Sequence, residues 1–129
     1  MGTTTGLGIA GVGQIAVNAH DLPRAVGFYR DVLGLPYLFE IPDAAFFQCG
    51  GVRLMVGKAE KPEFDHPGSI LYYRVPDIHA AAGSLRAAGV RIRDEPHLIA
   101  KMPGYDLWMM FFYDTEQNLA ALMSEVASS

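Results

Sequence analysis

The chain has 129 residues, half of them apolar and 19% charged, with 10 basic and 14 acidic side chains and a formal charge of -4. That length fits one domain with a real core, and the lack of a basic stripe or a long apolar run argues against nucleic acid and a bilayer as partners. Cys49 is alone, so no internal disulfide forms, and the Gly- and Thr-rich start, Met1 to Gly6, lacks the pattern of a secretory leader; a cytoplasmic location is expected.

Ile15 to Asn18 reads as a short strand. Asp21 is a good helix N-cap with Pro23 tolerated in the first turn, and Leu22, Ala25, Val26, Tyr29, Val32 and Leu33 recur at helical spacing. Gly34 is placed to end that helix. Strands are expected at Tyr37 to Ile41, Ala45 to Cys49 and Val52 to Val56, separated by Pro42-Asp43 and Gly50-Gly51. A polar stretch with Pro62 and Pro67 follows. The order then starts again. Ile70 to Val75 reads as a strand, and Asp77 caps a helix with an apolar stripe of Ile78, Ala81, Ala82, Leu85 and Ala88, stopped by Gly89. Strands are expected at roughly Arg91 to Met102, Leu107 to Tyr113 and Leu119 to Val126.

The second half echoes the first. Asp21, Ala25, Gly27 and Arg30 match Asp77, Ala81, Gly83 and Arg86 at an offset of 56 residues. Two copies are too few for a solenoid. They predict one α+β domain over 1–129 built from two βαβββ modules, the first over about 12–58, a linker over 59–68, and the second over about 69–126. Two such sheets form a curved mixed pair around a cavity, the natural place for a small-molecule ligand.

Three stretches carry a family resemblance. Gln14-Ile15-Ala16-Val17 leads into Asp21-Leu22; Phe28-Tyr29-Arg30-Asp31-Val32-Leu33-Gly34-Leu35 ends the first helix; and Phe112-Tyr113-Asp114-Thr115-Glu116-Gln117-Asn118-Leu119 forms a late turn. In this order they resemble the vicinal oxygen chelate superfamily, which includes glyoxalase I, bleomycin-resistance proteins, extradiol dioxygenases, fosfomycin-resistance enzymes and methylmalonyl-CoA epimerase. The late turn departs from the family's aromatic-x-Asp-Pro-Asp-Gly-Asn pattern, with Thr115, Glu116 and Gln117 in place of Pro-Asp-Gly.

Enzymes of that family hold a divalent metal with donors from the first and last strand of each module. The resemblance places those positions at Gln14, Leu54, Ile70 and Ala121, and of these only Gln14 has a donor. No metal and no cofactor are therefore expected. A homodimer is implied by the resemblance, and small two-sheet chains have edges and apolar faces to cover.

The remaining polar and aromatic residues give two readings. In the first, the chain is a metal-free binding protein similar to bleomycin-resistance proteins. Its apolar or aromatic ligand would lie in a cavity lined by Gln14, Leu54, Ile70, Tyr72, His97, Trp108 and Ala121, with Trp108 as stacking anchor. In the second, it is an enzyme of the glyoxalase, dioxygenase or epimerase kind, with a relocated metal or metal-free acid–base chemistry, and His97 and Gln14 are its catalytic candidates. Each also has a plainer reading. His97 suits a surface strand, and the run Tyr105 to Tyr113 suits a strand buried on both faces. His20 and His79 are expected to be exposed, His66 lies in the linker, and Cys49 reads as a half-buried strand residue.

Overall fold

The computed structural model describes residues 6–128; the lead-in over 1–5 lies outside them. Two four-stranded sheets carry the two modules. The first is ordered β1(Gln14–Asn18), β4(Val52–Gly57), β3(Ala44–Cys49), β2(Tyr37–Ile41), and the second β5(Leu71–Arg74), β8(Leu119–Ala127), β7(Tyr105–Tyr113), β6(His97–Met102). In each, the first strand runs parallel to the last and the remaining pairs are antiparallel. This is the expected α+β arrangement of two βαβββ modules. The sheets are not closed: β1 and β5 each end a sheet and do not pair with one another.

The helices are α1(Leu22–Gly27) and α2(Ile78–Ala87). Asp21 accepts a hydrogen bond from Arg24 N, and Asp77 accepts from His79 N and Ala80 N, so both expected N-caps form. Gly34 and Gly89 take the left-handed conformation (φ 73° and 76°) just past the two helical segments, a backbone state that is nearly free for glycine alone.

Both helices cover one side of the sheets, and one contiguous core lies there. Leu54, Val56 and Phe47 from the first sheet meet Met110, Phe112 and Leu122 from the second around Ala25, Val26, Phe28, Ile78 and Leu85. The other side of each sheet, opposite the helices, is left open.

Two segments depart from the expected elements. The helix from Asp21 does not run unbroken to Gly34. It widens into a π-helical turn over Phe28–Val32, with Leu33 N donating to Phe28 O at 2.9 Å. Phe28 and Tyr29, at the start of this wider turn, are both buried. The expected strand from Arg91 begins only at His97. Before it, Ile92 makes one isolated bridge to Phe112. Pro96 has no N–H for a ladder, and the Asp94 carboxylate takes the Phe111 N–H at 2.6 Å, replacing a strand partner.

The late turn joins the modules. Asp114, 4% exposed, accepts hydrogen bonds from Tyr29 Oη (2.7 Å), Glu116 N, Asn118 N and Asn118 Nδ2 (each 2.8 Å). Asn118 Nδ2 also donates to Asn18 O of β1 at 3.1 Å. Glu116 reaches across to the start of α1 and accepts from His20 N (2.7 Å) and Asp21 N (3.2 Å). Asp114→Ala leaves the Tyr29 hydroxyl and two amides without their acceptor, and is expected to cost about 3 kcal/mol of stability. Urea unfolding checks this; a loss below about 1 kcal/mol, the worth of one ordinary hydrogen bond, would remove the turn as a module clamp.

Candidate functional site

A groove with a volume of about 1060 Å³ runs between the two free sheet edges. Its walls are Ile15 and Val17 of β1 and Leu71 and Tyr73 of β5, with Tyr29 between them. These residues sit at equivalent points of the two modules: Ile15 and Leu71, and Val17 and Tyr73, differ by the repeat offset of 56. The groove therefore follows from the duplication, because two equivalent edge strands face each other without a strand between them.

The segment joining the modules covers the mouth. Asn18 Nδ2 donates to Phe64 O at 2.8 Å and to His66 O at 3.0 Å. The His20 ring lies 3.0 Å from Asp65 and 3.7 Å from Glu116, so one imidazole spans the covering segment and the late turn. His66, His20 and Asp65 all line the groove. Polar groups thus ring the entrance while hydrocarbon and aromatic rings form the walls, the usual distribution in a ligand pocket.

Tyr73 has a hydroxyl that is buried beside the Tyr29 hydroxyl. Burial, with the nearby Cys49 and Asp114 adding, holds its pKa well above the usual tyrosine range. Burial raises Tyr29 further still, with Tyr73 and Asp114 adding. Both hydroxyls therefore stay protonated near neutral pH. They are hydrogen-bond donors, and a general base poised at working pH is not what either supplies. Burial also raises the Cys49 thiol, so it is not an activated nucleophile.

Of the expected cavity residues, the groove takes in Ile70 and none of Gln14, Leu54, Tyr72, His97, Trp108 or Ala121. Leu54 is a correction. It is 2% exposed in the core on the helix side, and Met55 takes the open side in its place. The β4 sequence is apolar on both faces there, so alternation alone did not fix its phase. Trp108 is also on the helix side, where its ring meets that of His79 edge-on at 5.2 Å, so His79 is a packing partner as well as an exposed residue. Gln14 and Tyr72 lie on the open sides, Tyr72 edge-on against Phe111 at 5.8 Å, and Ala121 is fully buried opposite Phe111. His97 is on β6, three strands from β5 and so roughly 14 Å away at ordinary strand spacing, with Nδ1 3.0 Å from its neighbour Glu95 O. Gln14 and His97, the two catalytic candidates, are not brought together.

Residues that line the groove and were not foreseen include Ile15, Val17, Leu71, Tyr29 and Asn18. The signal that reveals them is the repeat offset applied to the first strand of each module. Asn18→Ala removes both side-chain hydrogen bonds to the covering segment. Backbone amides of residues 62–68 are expected to exchange with solvent about tenfold faster, the equivalent of one or two lost hydrogen bonds. Exchange at the wild-type rate would show that Asn18 does not hold the cover.

The chain matches the family model described as the glyoxalase/bleomycin resistance protein/dioxygenase superfamily over residues 11–122. It is similar in structure to a member of that superfamily from Sphaerobacter thermophilus (TM-score 0.74, 23% identity, 91% of this chain and 98% of that one). It is also similar to lactoylglutathione lyase from Agrobacterium tumefaciens (TM-score 0.71, 20% identity, 91% and 95% covered). In sequence it is 32% identical over 50 residues to the metallothiol transferase FosB of Staphylococcus haemolyticus, a match that spans 39% of this chain and 36% of that protein.

Proposed function

The chain belongs to the glyoxalase/bleomycin resistance protein/dioxygenase superfamily, and we propose that within it the protein binds a small apolar or aromatic molecule without a resident metal. The observation that carries this reading is the groove: apolar walls, a polar rim and a tethered covering segment.

The donor set supports the metal-free part. The open-side residues at the four family positions are Gln14, Met55, Ile70 and Ala121. Only Gln14 carries an oxygen donor, and its Oε1 already accepts from Arg53 Nε at 2.7 Å. A guanidinium at that distance repels a second cation. These residues do not fit a divalent metal. The enzyme reading is favoured by the partial likeness to a metallothiol transferase, whereas the wall tyrosines stay protonated and supply hydrogen-bond donors, not bases.

The neutral dye N-phenyl-1-naphthylamine tests this. Its fluorescence should rise on binding equally with and without EDTA. Ala16→Trp, which puts bulk into the groove from an exposed position, should weaken binding about tenfold. EDTA-sensitive binding, or binding indifferent to Ala16→Trp, would overturn the proposal.

Two copies are also proposed to associate through the open sheet faces. Tyr72, Phe39 and Ile41 are 46%, 45% and 49% exposed there, an apolar surface of the kind that marks an interface. Sedimentation velocity should find a dimer, and Tyr72→Glu should shift it toward monomer. A wild-type monomer at the highest soluble concentration would exclude the association.

A further inference from the structure

The geometry points to a second binding site, for a carboxylate on a flat apolar body, built by Arg53 and Gln14 on the open face of the first sheet. It goes beyond the groove reading: the site adjoins the groove at Met55, but neither Arg53 nor Gln14 lines the groove.

The site begins with the phase of β4. Leu54 and Val56 turn into the core, so Arg53 must turn out. There it lies opposite Gln14 in the parallel ladder, and its Nε donates to Gln14 Oε1. Its guanidinium carbon sits 5.3 Å from the centre of the Phe46 ring, on which Phe39 is stacked at 4.4 Å. An amide from one side and an aromatic face from another fix the plane of the guanidinium. A free surface arginine loses that freedom only when a ligand orders it, so the usual entropic penalty is largely met beforehand.

What stays open is the end of the fork. Nη1 and Nη2 donate to no other side chain or backbone oxygen among the described residues. Arg24, Arg30, Arg74 and Arg86 each contact a carboxylate, whereas Arg53, like Arg91 on Gln117, contacts a neutral amide. What sets Arg53 apart is the stacked pair of Phe39 and Phe46 beside it. An oriented guanidinium with no anionic partner in the chain can take an anion from outside. Two parallel N–H donors fit the two oxygens of a carboxylate. Phe39, Phe46 and Met55 beside them offer the surface for a flat ring. The same cation would be costly to cover with a second copy of the sheet face, and a bound carboxylate removes that cost.

The test titrates the full-length protein with 2-naphthoate and, separately, with the uncharged 2-naphthamide, by calorimetry. The wild type should prefer naphthoate about tenfold or more, as expected for a charge-assisted pair, and the preference should shrink as salt is added. Arg53→Met should abolish the preference. Arg53→Lys should keep part of it, since the charge survives but the fork does not. Gln14→Leu should reduce it severalfold by freeing the guanidinium. Equal binding of the two probes by the wild type, no naphthoate binding at all, or a preference that survives Arg53→Met would each overturn the site. The groove reading is judged by the neutral dye and Ala16→Trp, so the two can fail separately.

Discussion

The relative placement of the two modules depends on one buried carboxylate. Asp114 lies at the end of β7 in the second module, yet one of its four donors is Tyr29 from the first. A carboxylate removed from water is tolerated only when its oxygens are nearly saturated, so its partners are not free to drift. Tyr29 can reach it because the helix opens into a π-turn at that point, at the expense of the regular ladder. The ring of Tyr29 then touches Phe47 of the first sheet at 6.1 Å and Phe28 at 5.5 Å, while Phe28 packs on Phe112 of the second at 6.5 Å. Sheet one, sheet two and the late turn are thereby tied at one point. With the shared core, that tie holds the β1 and β5 edges in place, since the two strands make no ladder of their own.

The same turn shows how a degraded motif keeps its structural role. Asp114, Glu116 and Asn118 retain acids or an amide where the resemblance expects them. Asp114 is the saturated hub, Glu116 caps the start of α1, and Asn118 bridges to β1. The replaced positions are those whose work was conformational. Gln117 stands where the pattern has glycine and takes φ 66°, a conformation that side chains other than glycine adopt at a cost of roughly 1 kcal/mol. Its amide oxygen accepts from Arg91 Nη1 at 2.7 Å, and Arg91 stacks over Tyr113 at 4.1 Å, which offsets part of that strain.

Much of the fold was legible because its signals are local. Asp21 and Asp77 announce their helices, Gly34 and Gly89 end them, and the offset of 56 residues relates the modules. What was not legible depends on partners far away in the chain. Leu54 against Met55 is a question of phase in an apolar strand, and phase is settled only by what packs on each face. Trp108 likewise sits in a run, Leu107 to Phe112, that is apolar at every position, so its side could not be read from periodicity. The π-turn follows from Tyr29 meeting Asp114, 85 residues away. The groove is still less visible, because it arises from an absence of pairing between two strands that each look complete on their own.

Arg53 brings these threads together. In the family pattern, the open face of the sheets is where a divalent ion draws ligand oxygens by charge. Here the face carries Gln14 at the one surviving donor position, and that donor is engaged in holding a guanidinium. A guanidinium and a metal ion both attract anionic oxygens, but they differ in what they ask of the protein. The ion needs several donors to offset its dehydration, whereas arginine arrives covalently attached and needs only orientation. Hydrocarbon at Met55, Ile70 and Ala121 is therefore compatible with a charged site as long as the charge is supplied by the chain. Under the carboxylate site proposed above, one kind of positive charge would stand in for another, and the apolar residues around it would set which anions are worth binding: those whose hydrocarbon part can share the shelf of Phe39 and Phe46.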